Sequence, residues 1–279
     1  MAIEGRIAGL FVYPVKGCAG IALREALLTP RGLAHDRRWM IVGPDGRFLS
    51  QRELPRLARI RPALVEAALR LALGGEVELL VPDVARGAPL PVRVWGDTVE
   101  ALAVDPALDR ALSDWLGREV RLVRFPESGF RPCDPTYAPP GSHTAFADGF
   151  PLLVTSEGSL AELNVALSQA GAAPVPMDRF RPNLVLAGVP ARAEDESAAI
   201  RLEGGTRLGL VKRCDRCVVT TIDQSRGERT GKEPLATLAR IRRNVPTGGA
   251  WFGQNAVPLL ADGGVARLRV GQGCTLVQA

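Results

Sequence analysis

The stretch RRWMIVGPDGRFLSQ, residues 37–51, carries the clearest fold signal in this chain of 279 residues. Two extended runs flank Pro44-Asp45-Gly46, three residues whose backbone preferences suit a tight turn, so the pattern predicts a β-hairpin. Other short β-prone runs lie on either side of it, at GLFVYPV (9–15), EVELLVP (76–82) and PVRVWGDTVEALAV (91–104).

Helical patterns are few. DPALDRALSDWLG (105–117) places leucines four residues apart and ends on glycine, which predicts a short helix. FPLLVTSEGSLAELN (150–164) reads as a buried strand that runs into a helix near Thr155 or Ser156, and EPLATLARIRR (233–243) reads as a third helix. The chain is therefore predicted to be mainly β with a few α-helices. Short strands separated by turns favour a barrel-like architecture over a parallel βαβ sheet.

A change in amino-acid composition divides the chain. Residues 124–149 are rich in proline, glycine and serine, which indicates either a connection between domains or a long loop over a site. The expected division is a first domain over residues 1–124 and a second over residues 125–279.

The composition is that of a globular protein, with 46% hydrophobic and 23% charged residues. The N-terminal segment carries an acid and lacks a long apolar core, so no secretory signal is expected. No run reaches about 18 apolar residues, so no membrane span is expected. Five scattered cysteines suggest a reducing compartment, and we predict a cytoplasmic location.

The basic charge points to an anionic small ligand. The formal net charge is +5, and nearly all the cationic side chains are arginines, the residue better suited to forked binding of phosphate or carboxylate. The arginines are spread along the chain and aromatic residues make up only 5%, so nucleic-acid binding is not expected.

KRCDRCVVTTID, residues 212–223, poses the main chemical question. A single C-x-x-C lacks the second pair that a structural zinc site commonly uses, and a thioredoxin-like site would precede a helix, whereas VVTTID reads as a strand. Two ordinary cysteines in a loop remain an alternative. The cationic neighbours Lys212, Arg213 and Arg216 favour a thiolate, the soft ligand that transition metals prefer.

Several ordered motifs together resemble the MOSC-domain proteins with a MOSC N-terminal β-barrel domain, a family that includes the mitochondrial amidoxime-reducing components. The motifs are LFVYPVKGCAG (10–20), the segment from Leu28 to Pro62, FADGFPLLVTSEGSLAELN (146–164), FRPNLVLAG (180–188), the segment from Lys212 to Arg243, and WFGQN (251–255). The resemblance covers roughly residues 5–277. It implies an N-terminal β-barrel-like domain followed by a MOSC β-barrel domain.

The resemblance implies that Cys217 ligates molybdenum beside a molybdopterin-type cofactor, and it leaves Cys214 without a role. Asp223 is expected near the metal, so Cys217 and Asp223 are the predicted catalytic residues. The residues expected to bind the cofactor are Lys16, Gly17, Arg37, Thr155, Ser156, Arg181, Asn183 and Cys217. As a family association, pyridoxal phosphate binding is also implied. Two departures from the family pattern stand out: relatives often carry serine where this chain has Gly17, and proline where it has Gln224.

The implied activity is the reduction of small N-hydroxylated compounds such as amidoximes, with the demanding chemistry carried by the cofactor. The alternative is a sulfur-carrier or cofactor-delivery protein that holds a persulfide on Cys214 or Cys217. The sequence lacks an iron–sulfur cysteine spacing and a G-x-G-x-x-G turn, so we expect a separate electron-donor protein.

Overall fold

The structure is a computed structural model that describes residues 2–66, 68–75, 77–82, 87–243, 248–261 and 264–278. The first twelve strands are β1 (Ile3–Val12), β2 (Val15–Lys16), β3 (Ile21–Leu23), β4 (Glu25–Thr29), β5 (Gly32–Leu33), β6 (Trp39–Val42), β7 (Ile60–Val65), β8 (Ala68–Leu73), β9 (Val77–Pro82), β10 (Pro89–Val94), β11 (Asp97–Ala103) and β12 (Arg121–Arg124). The others are β13 (Arg131–Pro132), β14 (His143–Thr144), β15 (Leu152–Ser156), β16 (Leu184–Ala187), β17 (Ser197–Leu202), β18 (Arg207–Arg216), β19 (Ile222–Asp223), β20 (Glu228–Arg229), β21 (Ala250–Leu259), β22 (Ala266–Arg269) and β23 (Gly273–Gln278).

Helices are fewer. The α-helices are α1 (Pro106–Leu116), α2 (Glu157–Gln169) and α3 (Leu235–Ile241), and short 3₁₀ helices cover Pro55–Arg59, Met177–Phe180, Ala193–Glu196 and Val218–Thr221. None of the helices in the described ranges is long and apolar enough to cross a membrane.

Seven strands close into a barrel in the order β1-β16-β15-β21-β18-β17-β23, and β23 pairs back onto β1. All the pairs are antiparallel except β15–β16. Closure leaves no free edge in the ring, which is how small barrels avoid edge-to-edge association. Apolar side chains from the ring fill its core, among them Ile7, Leu10, Leu186, Ile200 and Leu276. The prediction of a mainly β, barrel-like protein is confirmed.

The earlier residues build further sheets beside the barrel. One has the order β10-β11-β12-β6-β2, and another is the meander β7-β8-β9. Leu69, Leu71 and Leu73 on β8 are fully buried because alternate residues of a strand face the same side. The strand β1, although first in sequence, belongs to the barrel formed mostly by residues after 151. After β2, the strand β3 pairs with β1 and β4 pairs with β22, so the chain returns to the barrel side before it enters β6.

The three predicted helices are present. Asp105 caps α1 by accepting from Ala107 N at 2.6 Å, Pro106 opens it, and Gly117 ends it with a left-handed backbone. Ser156 is the N-cap of α2, as predicted from the sequence, and Leu163 and Leu167 are buried on its inner face.

Two predicted strands are not formed as expected. After the turn at Gly43–Gly46, the second arm of the 37–51 hairpin makes only isolated bridges, Val42↔Phe48 and Arg47↔Arg93. The VVTT run is a 3₁₀ helix rather than a strand, because Thr220 N and Oγ1 both donate to Cys217 O at 3.0 Å. Such local hydrogen bonds from threonine hydroxyls compete with strand pairing. The C-x-x-C therefore lies at the end of β18, before a helical turn.

Candidate functional site

A cleft lies where the barrel meets the N-terminal sheets, and its space, open solvent included, is about 1020 Å³. Its walls come from segments far apart in sequence: residues 16–17, 37, 48–52, 95, 147–153, 180–183, 214–220 and 255 each contribute side chains or backbone. Five cationic and two acidic side chains are among the described residues that line it. The cleft therefore favours an anionic ligand.

Two arginines form one wall of the cleft. Arg37 Nη1 donates to Asp36 Oδ2 at 2.5 Å and to Asn183 Oδ1 at 3.0 Å. Arg181 Nη1 donates to Gln224 Oε1 at 3.2 Å. Both arginines have left-handed backbones, with φ of 46° and 55°. Because non-glycine residues adopt this conformation rarely and at a cost, the surrounding fold must hold them there.

The Tyr13 ring connects the two arginines. The Cζ atoms of Arg37 and Arg181 lie 4.4 and 4.3 Å from the ring centroid, within the range of cation–π contacts. The Tyr13 hydroxyl donates to Pro182 O at 3.1 Å, and its backbone N donates to Asp36 Oδ1 at 2.8 Å. Tyr13 is therefore positioned to orient both guanidinium groups.

Lys16 and Asp148 form an ion pair beside the arginines. Lys16 Nζ lies 2.5 Å from Asp148 Oδ1 and also donates to Phe146 O at 2.8 Å. Trp95 Nε1 donates to the same carboxylate oxygen at 3.0 Å. Burial lowers the pKa of Lys16, although the Asp148 carboxylate opposes the shift. Enclosure by the cleft opposes ionisation of Asp148, but the Lys16 ammonium holds its pKa well below the usual range.

A pair of glutamine amides joins the two parts of the molecule next to the cleft. Gln51 Nε2 donates to Gln224 Oε1 at 3.0 Å, and Gln224 Nε2 donates to Gln51 Oε1 at 2.9 Å. Gln51 Nε2 also donates to Gly17 O at 2.7 Å. Gly17, with φ of 84°, thus contributes its carbonyl to this network. Gln224 serves as the shared partner of Gln51 and Arg181.

The cysteine motif forms the opposite wall. Cys217 is partly exposed and lines the cleft, and within the described chain no donor or acceptor is recorded on its Sγ. Cys214 Sγ instead accepts from Arg216 Nη1 at 3.0 Å. Burial raises the pKa of the Cys214 thiol, and the adjacent Arg216 guanidinium partly offsets that shift. The two thiols are therefore not equivalent, and Cys217 is the one open to a ligand.

Asn183 has a supporting position. Its Oδ1 accepts from Leu153 N at 3.1 Å as well as from Arg37, and its Nδ2 donates to Phe11 O at 3.1 Å. The side-chain amide of Asn183 thus links β15, β1 and Arg37. Asn183 lines the cleft mainly by fixing the neighbouring arginine.

Three of the predicted site residues do not line the cleft. Thr155 and Ser156 are fully buried, and the Ser156 hydroxyl donates to Glu194 Oε2 at 2.8 Å while it caps α2. Asp223 Oδ1 accepts from Ser225 and Arg226 in its own turn, and Oδ2 faces Arg179 Nη2 at 3.5 Å. Their proposed roles therefore stay predictions without a contact to the cleft.

Several cleft residues were not predicted from the sequence. Asp148 meets Lys16 from a segment 132 positions away and accepts from Trp95 across 53 positions, and Gln51 meets Gln224 across 173 positions. The one local signal was the proline- and glycine-rich segment 124–149, whose end, residues 147–149, lines the cleft. The structure therefore favours the interpretation of this segment as a loop over a site.

No group of three or more histidine, cysteine, aspartate or glutamate side chains is placed to hold a metal ion in the described ranges. A metal at this cleft would need ligands other than a cluster of protein side chains. Among the described residues that line the cleft, Cys217 offers a thiol without a hydrogen-bond partner, with several cations around the same cleft.

Comparison with known proteins agrees with this architecture. Residues 4–119 match the MOSC N-terminal beta barrel domain, and residues 141–274 match the MOSC domain. The chain is 33% identical over 262 residues to mitochondrial amidoxime-reducing component 1 from Homo sapiens, covering 90% of this chain and 76% of that protein.

Two more distant similarities were found. The chain is 30% identical over 254 residues to molybdenum cofactor sulfurase from Oryza sativa subsp. japonica, but it spans only 31% of that longer protein. The crystal structure of the YuaD protein from Bacillus subtilis covers the whole of this chain and 98% of that chain, with 9% identity and a TM-score of 0.46. By its two matched domains and its similarity to the amidoxime-reducing components, the chain belongs to the MOSC-domain proteins that carry a MOSC N-terminal β-barrel domain.

Proposed function

We propose that this protein is a molybdenum-cofactor-dependent reductase of N-hydroxylated compounds, with the metal held by the Cys217 thiolate. The observation that carries the proposal is the convergence of Cys217, Lys16, Arg37 and Arg181 on one cleft. They come from segments separated by up to 201 positions in the chain. The proposed class of substrate is taken from the name of the amidoxime-reducing relatives.

The residues present fit a molybdopterin-type cofactor. Such a group carries a phosphate and needs a soft protein ligand for its metal. The cleft supplies a partly exposed thiol with no recorded polar partner in the described chain, and the buried Nε of Arg216 likewise lacks one. A buried guanidinium N–H without a partner calls for an explanation, and an absent ligand is one.

We assign the holding roles as follows. Arg37 and Arg181 bind the phosphate, and Lys16, with Gly17 beside it, adds positive charge at the N-terminal side. Asn183 orients Arg37, and Arg216 donates to the polar edge of the ligand. The bound cofactor supplies the two-electron reduction. The chain itself contributes the binding of charge, the orientation of the thiol and a cleft from which bulk water is partly excluded.

The substrate would enter beside the aromatic side of the cleft. Phe48 and Trp95 pack edge to face with ring centroids 4.7 Å apart, and Trp95 is 44% exposed. Phe150 lines the same cleft. Aromatic walls with one carboxylate, Asp148, suit a small planar amidoxime that carries N–H donors.

The test compares two single variants after reconstitution with the cofactor. Cys217→Ser should lose bound molybdenum and the reduction of a simple amidoxime, whereas Cys214→Ser should keep both within a fewfold. Metal content is read by mass spectrometry and product by chromatography. Full activity in Cys217→Ser, or equal loss in the two variants, would contradict the assignment.

A second candidate is a protein that carries sulfur for the cofactor or delivers it. The similarity to a molybdenum cofactor sulfurase and the second thiol, Cys214, in the same cleft favour it. Cyanide-labile sulfur on the purified protein, lost in Cys214→Ser or Cys217→Ser, would support this function. Absence of such sulfur together with amidoxime reduction would support the reductase.

A further inference from the structure

A second basic pocket lies on the other side of the segment that carries Arg37. Its open volume is about 580 Å³, and three arginines, Arg31, Arg38 and Arg124, line it together with a single glutamate, Glu127. The backbone places Arg37 in the large cleft and its neighbour Arg38 in this pocket. The two sites are therefore separate cavities that share one short stretch of chain.

Glu127 balances only part of the charge. Arg38 Nη2 and Arg124 Nη2 both donate to the same oxygen, Glu127 Oε1, at 2.6 and 2.8 Å. Arg31 Nη2 reaches only carbonyls, Glu127 O at 3.2 Å and Gly129 O at 2.8 Å. Asp36 also lines the pocket, but its Oδ2 is paired with Arg37. Even with Arg124 left out of the balance, Arg31 and Arg38 together carry more charge than Glu127 neutralises among the described residues.

The guanidinium groups are buried while their acidic partner is not. The side chains of Arg38 and Arg124 are 16% and 10% exposed, whereas that of Glu127 is 69% exposed. Within the part of the chain that the structure describes, the buried Nε atoms of Arg31 and Arg38 have no hydrogen-bond partner. Burial, followed by the neighbouring Arg38, lowers the pKa of Arg31, as expected when like charges are held close together.

We infer that this pocket binds a small oxyanion of the phosphate class, either inorganic phosphate or the phosphate group of a monoester. A tetrahedral dianion matches the two arginine forks, Arg31 and Arg38. It would also neutralise the excess charge that Glu127 leaves. The inference does not depend on the proposed reductase function.

The decisive feature is the role of Glu127. If the cluster only stabilises the fold, the glutamate and the arginines are partners, and removing either weakens the same interaction. If the pocket binds an anion, Glu127 competes with the ligand for the arginines. Its removal should then strengthen binding, whereas removal of an arginine should weaken it.

The experiment measures inorganic phosphate binding by calorimetry at constant ionic strength set with chloride. It uses the full chain with Arg181→Gln, which weakens anion binding in the large cleft. In that background, Arg38→Gln and Arg31→Gln should each weaken binding about tenfold, the effect of one charge-assisted contact. Glu127→Gln should strengthen it severalfold. Glycerol phosphate in parallel distinguishes a monoester site, which it would bind at least as tightly, from a site for free phosphate.

Thermal unfolding of each variant checks that it is folded. Two arginine variants are used so that the test still stands if one of them does not fold. Loss of binding in the arginine variants together with retained or tighter binding in Glu127→Gln upholds the inference. Three results would overturn it. The first is undetectable phosphate binding before the pocket is altered, the second is binding that neither arginine variant changes, and the third is weaker binding in Glu127→Gln.

Discussion

At the scale of single residues, the cleft depends on two arginines in an uncommon backbone conformation. Arg37 and Arg181 have positive φ, and each makes contacts that hold it there: Arg37 bonds to Asp36 and Asn183, and Arg181 to Gln224. A left-handed non-glycine residue costs on the order of 1 kcal/mol or more, which the surrounding contacts must offset. The strained positions coincide with the residues assigned to the ligand.

We predict that Arg37→Gln and Arg181→Gln each weaken cofactor retention by about tenfold or more, because a charge-assisted contact to phosphate is replaced by a neutral one. Retention is measured as molybdenum per chain after gel filtration of the reconstituted protein. Arg207→Gln, at an exposed position on β18, is the matched control and should retain as much as the unaltered chain. Unchanged cofactor retention in both cleft variants would indicate that Arg37 and Arg181 have a purely structural role.

Tyr13 gives a prediction about pH. Burial raises the pKa of Tyr13 from 10.0 to about 12, although Arg181 and Arg37 oppose the shift. A tyrosine with a raised folded-state pKa stabilises the fold below the unfolded value, and that contribution is lost as pH rises from about 10 through about 12. Absorbance of phenolate should show one tyrosine that ionises only near pH 12, and Tyr13→Phe should remove that step. Ionisation of Tyr13 near pH 10 would contradict the buried placement between the arginines.

At the scale of elements, the start of α2 serves the fold more directly than the ligand. The Ser156 hydroxyl accepts from Ser159 N at 3.1 Å and donates to the fully buried Glu194 at 2.8 Å. One side chain thus caps a helix and donates to one oxygen of a buried carboxyl group. Ser156 therefore contributes to the stability of the fold although it does not line the cleft.

We predict that Ser156→Ala lowers the free energy of unfolding by about 1–3 kcal/mol, since it removes the cap and leaves Glu194 with an unmade hydrogen bond. Ser168→Ala, at an exposed position of the same helix, should change stability by less than about 0.5 kcal/mol. Denaturant unfolding measures both. Cofactor retention at temperatures where the variant is fully folded should be nearly normal, and a large loss there would revive the prediction that Ser156 contacts the cofactor.

At the scale of the whole molecule, the net charge of +5 bears on the source of electrons. We predict that a separate, acidic donor protein docks near the mouth of the cleft. Its encounter rate should fall as ionic strength rises from about 0.01 to about 0.15 M, because the Debye length shrinks from about 30 to about 8 Å. Turnover is measured with an added acidic electron-transfer protein across that range. Rapid multiple turnover of the pure holoprotein with NADH or NADPH alone would contradict the prediction.

The sequence by itself determined the fold class and the three helices. Turn residues between short β-prone runs are local signals, and so are the Asp105, Pro106 and Gly117 signals at the ends of α1. The ordered motifs also singled out Cys217, Lys16, Arg37 and Arg181, which the structure brings to one cleft. A cytoplasmic location and a division near residue 124 stay predictions.

The tertiary structure alone decided which polar residues reach the cleft. Thr155 and Ser156 share a motif with the cleft loop, yet strand β15 turns them into the interior, while Asp148 bonds to Lys16 and Trp95, which come from remote segments. The VVTT run has strong β preference, but threonine hydroxyls bonded to nearby carbonyls hold it as a helical turn. Contacts between residues distant in sequence depend on how the barrel closes, with β1 between β16 and β23, and no local pattern encodes that closure.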